Sequence, residues 1–198
     1  MRITAQAKQA THARILEAAR RLFREKGFDE TTVRDIALEA DVATGTLFNY
    51  FAFKEEIAVA LAHQAALTAK TEFLRKRREG AALREDLFLH VATQLRLWRP
   101  LRKFFQPVVE TALASWAHGY CSELIDRFRR EELETVEEIA RGHGIAADRW
   151  TTTVPIYWSL YFGVLTFWIG DKSPKQEDTL AMLDQATHMF VSWVESVK

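Results

Sequence analysis

An all-α fold of about nine helices is predicted for this chain of 198 residues, and three observations predict it. Apolar residues recur at three-and-four spacing through most of the chain, while the period-two alternation of a half-buried strand is hard to find. Helix breakers are scarce, with 8 glycines and 4 prolines, and several stand where a helix should stop. Apolar residues make up 48% and charged residues 27%, ordinary proportions for a folded globular chain, so disorder does not describe it.

The elements follow in order. Helix one is expected over roughly 8–26, with Ile15, Ala18, Ala19, Leu22 and Phe23 on one face and Gly27 at a left-handed C-terminal cap. Thr31 or Thr32 caps a short second helix that buries Val33, Ile36, Ala37 and Ala40. Asp41 tolerates a left-handed turn, so the chain can reverse there. Thr44 caps a third short helix reaching about Tyr50, and a long fourth runs over about 54–78, ending near Gly80. Leu87, Val91, Leu95 and Trp98 mark a fifth that Pro100 punctuates, and a sixth extends to about Trp116. A charged seventh covers about 120–141 and stops at Gly142. An aromatic eighth spans about 149–169, a turn follows at 171–174, and a ninth runs over about 175–197.

Charge and cysteine usage narrow the function classes. Lys plus Arg equals Asp plus Glu, 27 against 27, so net charge lends no support to nucleic-acid binding and any such case must rest on local pattern. Cys121 is the only cysteine, which excludes an intrachain disulfide and fits a reducing, cytoplasmic setting. The early charges Arg2, Lys8 and Arg14 do not resemble a secretory signal. The most apolar stretch, 155–170, falls short of the ~20 residues that span a bilayer and is expected to be buried in protein on every side. No membrane partner is expected.

The segment 42–54 holds no Asp or Glu and ends in a lysine, as a helix entering a DNA groove requires. Residues 1–54 carry nine Lys and Arg against seven Asp and Glu, so placement rather than number must supply the field. Backbone amides at helix starts near Thr32, Thr44 and Lys54 would add partial positive charge.

Residues 12–61 resemble the helix-turn-helix of the TetR family almost position by position. The run Ala13-Arg14-Ile15-Leu16-Glu17-Ala18-Ala19, then Leu22-Phe23, Gly27-Phe28 and Thr31-Thr32-Val33, carries the opening of the motif. Ile36-Ala37, Ala40, Val42, Gly45-Thr46-Leu47, Tyr50-Phe51 and Lys54-Glu55-Glu56 complete it. The resemblance implies a DNA-binding domain over 1–53 and a helical ligand-binding and dimerisation domain over 54–198. It implies phosphate contacts from Thr32, Tyr50 and Lys54, and a DNA-facing set that also includes Arg34, Thr44, Gly45, Thr46, Phe48 and Asn49. On this reading Lys54→Ala weakens binding to every sequence and lowers its salt dependence. Two positions depart from the family pattern. Phe48 stands where tyrosine is usual, and Phe53 replaces the usual small polar residue before the lysine.

In the C-terminal half, Leu180, Leu183, Thr187, Phe190, Val194 and Val197 form one stripe, and Met182, Ala186, Met189 and Trp193 a second beside it. Together they make an apolar face too wide for one domain, and the eighth helix is apolar all round, so homodimerisation is expected. Leu165, Trp168, Leu183, Phe190, Trp193 and Val194 are the candidate interface residues. The dimer would read an inverted-repeat operator in double-stranded DNA. Trp98, Phe104, Phe105, Trp116, Tyr120, Tyr157, Trp158 and Tyr161 are candidates for lining a pocket. The resemblance implies a small-molecule effector there, and the aromatic lining suggests an apolar or aromatic one. His90, Arg96, Glu110 and His118 are candidate polar contacts.

Other classes find little support. The 6 histidines are scattered, the pair His118 and Cys121 lacks a third metal ligand, and no phosphate-cradling glycine loop or partnered nucleophile is present. No cofactor, metal or catalytic residue is expected. The glutamates at 131, 132, 134, 137 and 138 read as a solvated helix face. The alternative function is a DNA-binding regulator that answers to a protein partner or acts architecturally, with a filled helical core instead of a cavity.

Overall fold

The computed structural model describes residues 4–118, 123–145 and 150–196, with side chains left undescribed at 114–118 and 150–152. Among them run nine α-helices and no strand: α1 (Ala5–Glu25), α2 (Val33–Glu39), α3 (Thr44–Phe48), α4 (Lys54–Lys76), α5 (Leu83–Trp98), α6 (Gln106–His118), α7 (Glu123–Gly142), α8 (Trp150–Gly170) and α9 (Glu177–Ser196). Short 3-10 segments cover Arg99–Phe104 and Pro174–Gln176. The all-α expectation holds.

The contacts divide the chain into two compact units, Met1–Gln64 with Pro100–Ile125, and Ala65–Arg99 with Asp126–Lys198. They do not follow the expected break between residues 53 and 54. α4 belongs to both units: its first half, with Ile57, Ala58 and Leu61 fully buried, groups with α1, α2 and α3. The 3-10 segment joins them through Phe104, whose ring centroid lies 5.0 Å from that of Phe23.

In the first unit, α1 buries Ile15, Leu16, Ala18, Ala19, Leu22 and Phe23 on one face. Gly27 follows with φ +91°, a left-handed conformation that a side chain would strain. The Thr31 hydroxyl donates to the Gly27 carbonyl at 2.6 Å and closes the turn. Thr32 then caps α2 in a capping box with Asp35. Asp41, at φ 52°, makes the expected reversal into α3.

In the second unit α9 packs against both α5 and α8. Its start is fixed by Asp171, whose Oδ2 accepts from the Thr179 backbone N–H at 3.0 Å and whose Oδ1 accepts from the Ser173 N–H at 2.7 Å. Burial alone would raise the Asp171 carboxyl, but the bonds from Ser173 and Thr179 outweigh it and hold the group far below the usual carboxylate range.

α8 is not buried on every side. Tyr157, Tyr161, Val164, Leu165 and Trp168 face inward, while Ile156 and Phe167 remain 38% and 43% exposed beside the exposed Ser159 and Thr166. Its 18-residue stretch Thr153–Gly170, at mean hydropathy 1.2, is long and apolar enough to cross a membrane by length and composition. The inner face nevertheless ends in two buried polar groups, the hydroxyls of Tyr157 and Tyr161.

Those hydroxyls belong to a buried network that corrects one expectation from sequence. Glu132, placed by its pattern on a solvated face, is only 4% exposed. Its Oε1 accepts from the Tyr157 hydroxyl at 2.9 Å and lies 2.9 Å from His90 Nε2, and its Oε2 accepts from Gln94 Nε2 at 2.5 Å. The Tyr161 hydroxyl donates to Gln94 Oε1 at 3.0 Å. Burial pushes the Glu132 carboxyl up, yet His90, Gln94 and Tyr157 together bring it below its usual range, so it is ionised at neutral pH. The same burial, reinforced by the charge on Glu132, raises both tyrosines well above their ordinary range.

Removing one member of such a network leaves its partners buried and unsatisfied. Glu132→Ala should cost about 3–5 kcal/mol in denaturant unfolding, against less than about 0.5 kcal/mol for the exposed Glu134→Ala. A carboxyl held low in the folded state contributes stability above its unfolded pKa and loses it as pH falls through and below about 4. The native protein should therefore lose more stability on acidification than Glu132→Gln, and equal acid sensitivity would show that the network carries no charge.

Candidate functional site

α3 is five residues long, and its position is set by Leu47, which is fully buried. At 100° per residue, a buried Leu47 turns Gly45 and Asn49 to the opposite side and leaves Thr46 and Phe48 flanking them. Gly45 and Asn49 are exposed, Thr46 is half-buried, and Phe48 is 50% exposed. A Cβ built on Gly45 would meet nothing within 4 Å, so the surface over it is open. Ala43 rather than Thr44 caps the helix, and without a side-chain bond; Thr44 is its first residue and is half-buried.

The expected phosphate contacts fare unequally. Arg34 is exposed on α2. Tyr50 is half-buried, its ring centroid 6.3 Å from that of His12, which stacks closer on Phe51 at 5.1 Å. Burial holds the His12 imidazole below its usual pKa, so the ring is neutral at pH 7. Thr32 is exposed, but its hydroxyl is committed: it accepts from the Asp35 N–H at 3.1 Å and faces Asp35 Oδ2 at 2.9 Å. Backbone and hydroxyl bonds from Thr32 hold the Asp35 carboxyl below its usual range, so an anion sits on the first turn of α2.

Lys54 is engaged within the protein. Its Nζ donates to the carbonyls of Phe28 at 2.7 Å, Thr31 at 3.0 Å and Asp29 at 3.4 Å, and lies 4.2 Å from the Phe28 ring centroid. With three carbonyls of the α1–α2 turn in reach of its ammonium, the side chain staples that turn to α4. Nothing in the sequence pattern separates this use of a lysine from a phosphate contact. Phe53 is 38% exposed, and Glu56 Oε2 accepts from the N–H of Ala52, just before the helix, at 2.8 Å.

The candidate pocket residues are mostly core. Trp98 is fully buried and edge-on to Phe128 at 6.1 Å, and Phe104, Phe105 and Trp158 are also buried. Trp116 and Tyr120 lie outside the described side chains, as do His118 and Cys121. Tyr157 and Tyr161 do border a space between α5, α8 and α9, together with Leu87, Val91, Val164 and Phe190. That space is about 20 Å3, room for about one water molecule. A larger depression of about 820 Å3 opens at Arg78, Arg84 and Glu85, but its charges are engaged, Arg84 with Asp184 at 2.7 Å and Arg78 with Glu85 at 3.8 Å. Of the other polar candidates, His90 joins the buried network, Arg96 donates to Glu72 at 2.5 Å, and Glu110 accepts from Gln106 at 2.7 Å. Among the described residues no group of three His, Cys, Asp or Glu could hold a metal ion.

The candidate interface residues also need correction. Leu165, Trp168, Leu183, Phe190 and Val194 are buried within the chain's own second unit, and only Trp193 is half-exposed. The stripe left open is the neighbouring one: Met182 is 36% and Met189 62% exposed, with Ala186 and Trp193 half-buried between and beyond them. Met182 Cε lies 3.9 Å from the position of a Cβ on Gly163, so this stripe continues onto the open face of α8.

Residues 15–61 match the family described as bacterial regulatory proteins, tetR family. The HTH-type transcriptional repressor Rv1474c of Mycobacterium tuberculosis (strain ATCC 25618 / H37Rv) is 30% identical over 128 residues, 62% of this chain and 67% of that protein. A TetR transcriptional regulator from Rhodococcus sp. RHA1 superposes with TM-score 0.74 at 19% identity, over 93% of this chain and 97% of that one. The repressor FadR of Thermus thermophilus, solved in complex with lauroyl-CoA, superposes with TM-score 0.68 at 22% identity, over 90% and 92%.

The staple gives a direct test. Lys54→Met keeps the stem and removes the donors, and it should lower unfolding stability by about 1–3 kcal/mol. The slope of log affinity against log salt for DNA should not change. A phosphate contact would do the reverse, shifting that slope by about one and leaving stability intact.

Proposed function

The chain belongs to the TetR family of bacterial regulatory proteins, DNA-binding transcriptional regulators, and from that premise we propose that it acts as a dimeric repressor of an inverted-repeat operator in the bacterial cytoplasm. The observation that carries this reading is the exposed, acid-free surface of α3, held by Leu47 and bare at Gly45. Major-groove edges present donors, acceptors and methyl groups and lie in a strongly negative field. Asn49 has the paired donor and acceptor that suit adenine, Thr46 offers a hydroxyl and a methyl, and no carboxylate on 42–54 opposes entry. Arg34, Thr44 and Tyr50 flank this surface in sequence and are the candidates for its rim.

One five-residue helix reads few base pairs, so specificity requires two. The open stripe Met182, Ala186, Met189 and Trp193, with the exposed face of α8, supports a homodimer in which these helices pair with their copies. Two heads would then meet the duplex about one turn apart, roughly 34–36 Å.

Control by a small apolar or aromatic effector is the finer part of the proposal. It is supported by the apolar walls around Tyr157 and Tyr161 and by the lauroyl-CoA bound to the structurally similar FadR. A space of about 20 Å3 admits no such molecule as it stands, so the effector has to favour a second arrangement in which α5, α8 and α9 part. Operator and effector then weaken each other's binding by the same factor. The small size of the space at Tyr157 and Tyr161 is also compatible with a second reading, a regulator that answers to a protein partner and needs no cavity. Neither reading assigns the chain a catalytic role or a cofactor.

Met189→Glu puts a charge at the centre of the open stripe. It should convert the protein to monomer in sedimentation at micromolar concentration and weaken inverted-repeat binding by about 100-fold or more. Asn49→Ala should flatten the preference at one base pair per half-site, at about 1–3 kcal/mol, with the dimer intact. A native protein that sediments as a monomer and binds a single half-site as tightly as the repeat would end the dimeric reading. Operator affinity unmoved by any member of an apolar and aromatic compound library would favour the partner-controlled one.

A further inference from the structure

Phe48 carries a large side chain with no hydrogen-bonding group on the exposed side of α3, and half of its surface is left in water. Isolated exposed apolar side chains are common on proteins and need no explanation by themselves. What sets Phe48 apart is its place on the element proposed to face base edges, three residues after a glycine. Residues three apart on a helix are neighbours, so the ring stands beside the bare surface of Gly45, where not even a Cβ would touch anything within 4 Å. Thr44, four residues before Phe48, contributes its methyl-bearing side chain to the same side. The result is an apolar shelf that a groove edge can approach closely.

A ring without a hydroxyl cannot bond a phosphate, and it cannot read the donor and acceptor pattern of a base. Among the groups that base edges present in the major groove, only the C5-methyl of thymine is apolar. We infer that Phe48 is a specificity-determining residue: with Gly45 it forms a shelf that packs on the C5-methyl of one thymine in each half-site. The inference rests on the proposed entry of α3 into the major groove. It adds a contact that Asn49 and Thr46 do not supply.

The test uses the full-length protein and a duplex recovered by repeated selection from a randomised pool. Each thymine of the half-sites is replaced, position by position and in both halves, by deoxyuridine, which lacks only the methyl. One position should weaken native binding by about fourfold per half-site, the worth of one buried methyl, and by about fifteenfold when both halves are changed. Phe48→Ala should bind the thymine and deoxyuridine duplexes alike while keeping its preference at the other positions. Phe48→Gln, a polar side chain of similar reach, is the second variant and should also lose the methyl dependence. Sequence-specific binding that ignores every deoxyuridine replacement would overturn the inference and leave the groove reading standing. Equal methyl dependence in the native protein and both variants would overturn it too, assigning the methyl to another residue. Failure of the selection to yield any preferred sequence would bring down the groove reading and this inference with it.

Discussion

A helix of five residues cannot hold its shape in water, because its nucleation cost exceeds what so few hydrogen bonds return. Everything proposed for α3 therefore depends on the burial of Leu47 in the core of the first unit, where Ile36 and Phe23 are also fully buried. That one side chain fixes which way the helix turns, and hence that Gly45, Asn49 and Phe48 look outward. The surrounding turns serve the same end. Gly27 and Asp41 supply the left-handed backbone, Thr31 and Thr32 close the turn into α2, and Lys54 ties the carbonyls of that turn to the start of α4. Charged and polar groups that would suit phosphates are partly spent on this scaffolding.

The second unit follows a different logic. Its helices carry more apolar surface than one bundle can hide, and the surplus appears as the open stripe along α9 and α8. At the same time its core contains an ionised Glu132 held by His90, Gln94 and Tyr157. A buried polar network specifies one packing arrangement at some cost in stability, because any shift of α5, α7 or α8 leaves a member unsatisfied.

Much of this was legible in the sequence. The three-and-four spacing, the breakers and the caps locate all nine helices to within a few residues, since those signals are local. Asp41 could be placed in a left-handed turn because few other residue types tolerate it. What failed was everything that depends on the partner of a side chain. Lys54 as a staple and Lys54 as a phosphate ligand have the same sequence pattern. Glu132 sits among exposed glutamates, and only the packing of α5 and α8 against α7 shows that it faces inward. The two stripes of α9 are equally apolar on paper. Which one closes the protomer and which stays open depends on where α5 and α8 lie, and the stripe first assigned to the interface proved to be the inner one. The pocket residues divide for the same reason: large aromatic side chains fill a core as readily as they line a cavity, and Trp98, Phe104 and Phe105 are buried while Tyr157 and Tyr161 border a small space.

The proposed function requires α3 to enter a duplex, with a symmetry mate doing likewise one turn away. Protection of guanine N7 from methylation reads the major groove directly, since that atom lies on its floor. On a duplex selected by the protein, two patches of protection are expected on the same face, about 10 base pairs apart, both lost in Leu47→Ala. A single patch, no protection of guanine N7, or two patches that survive Leu47→Ala would contradict it.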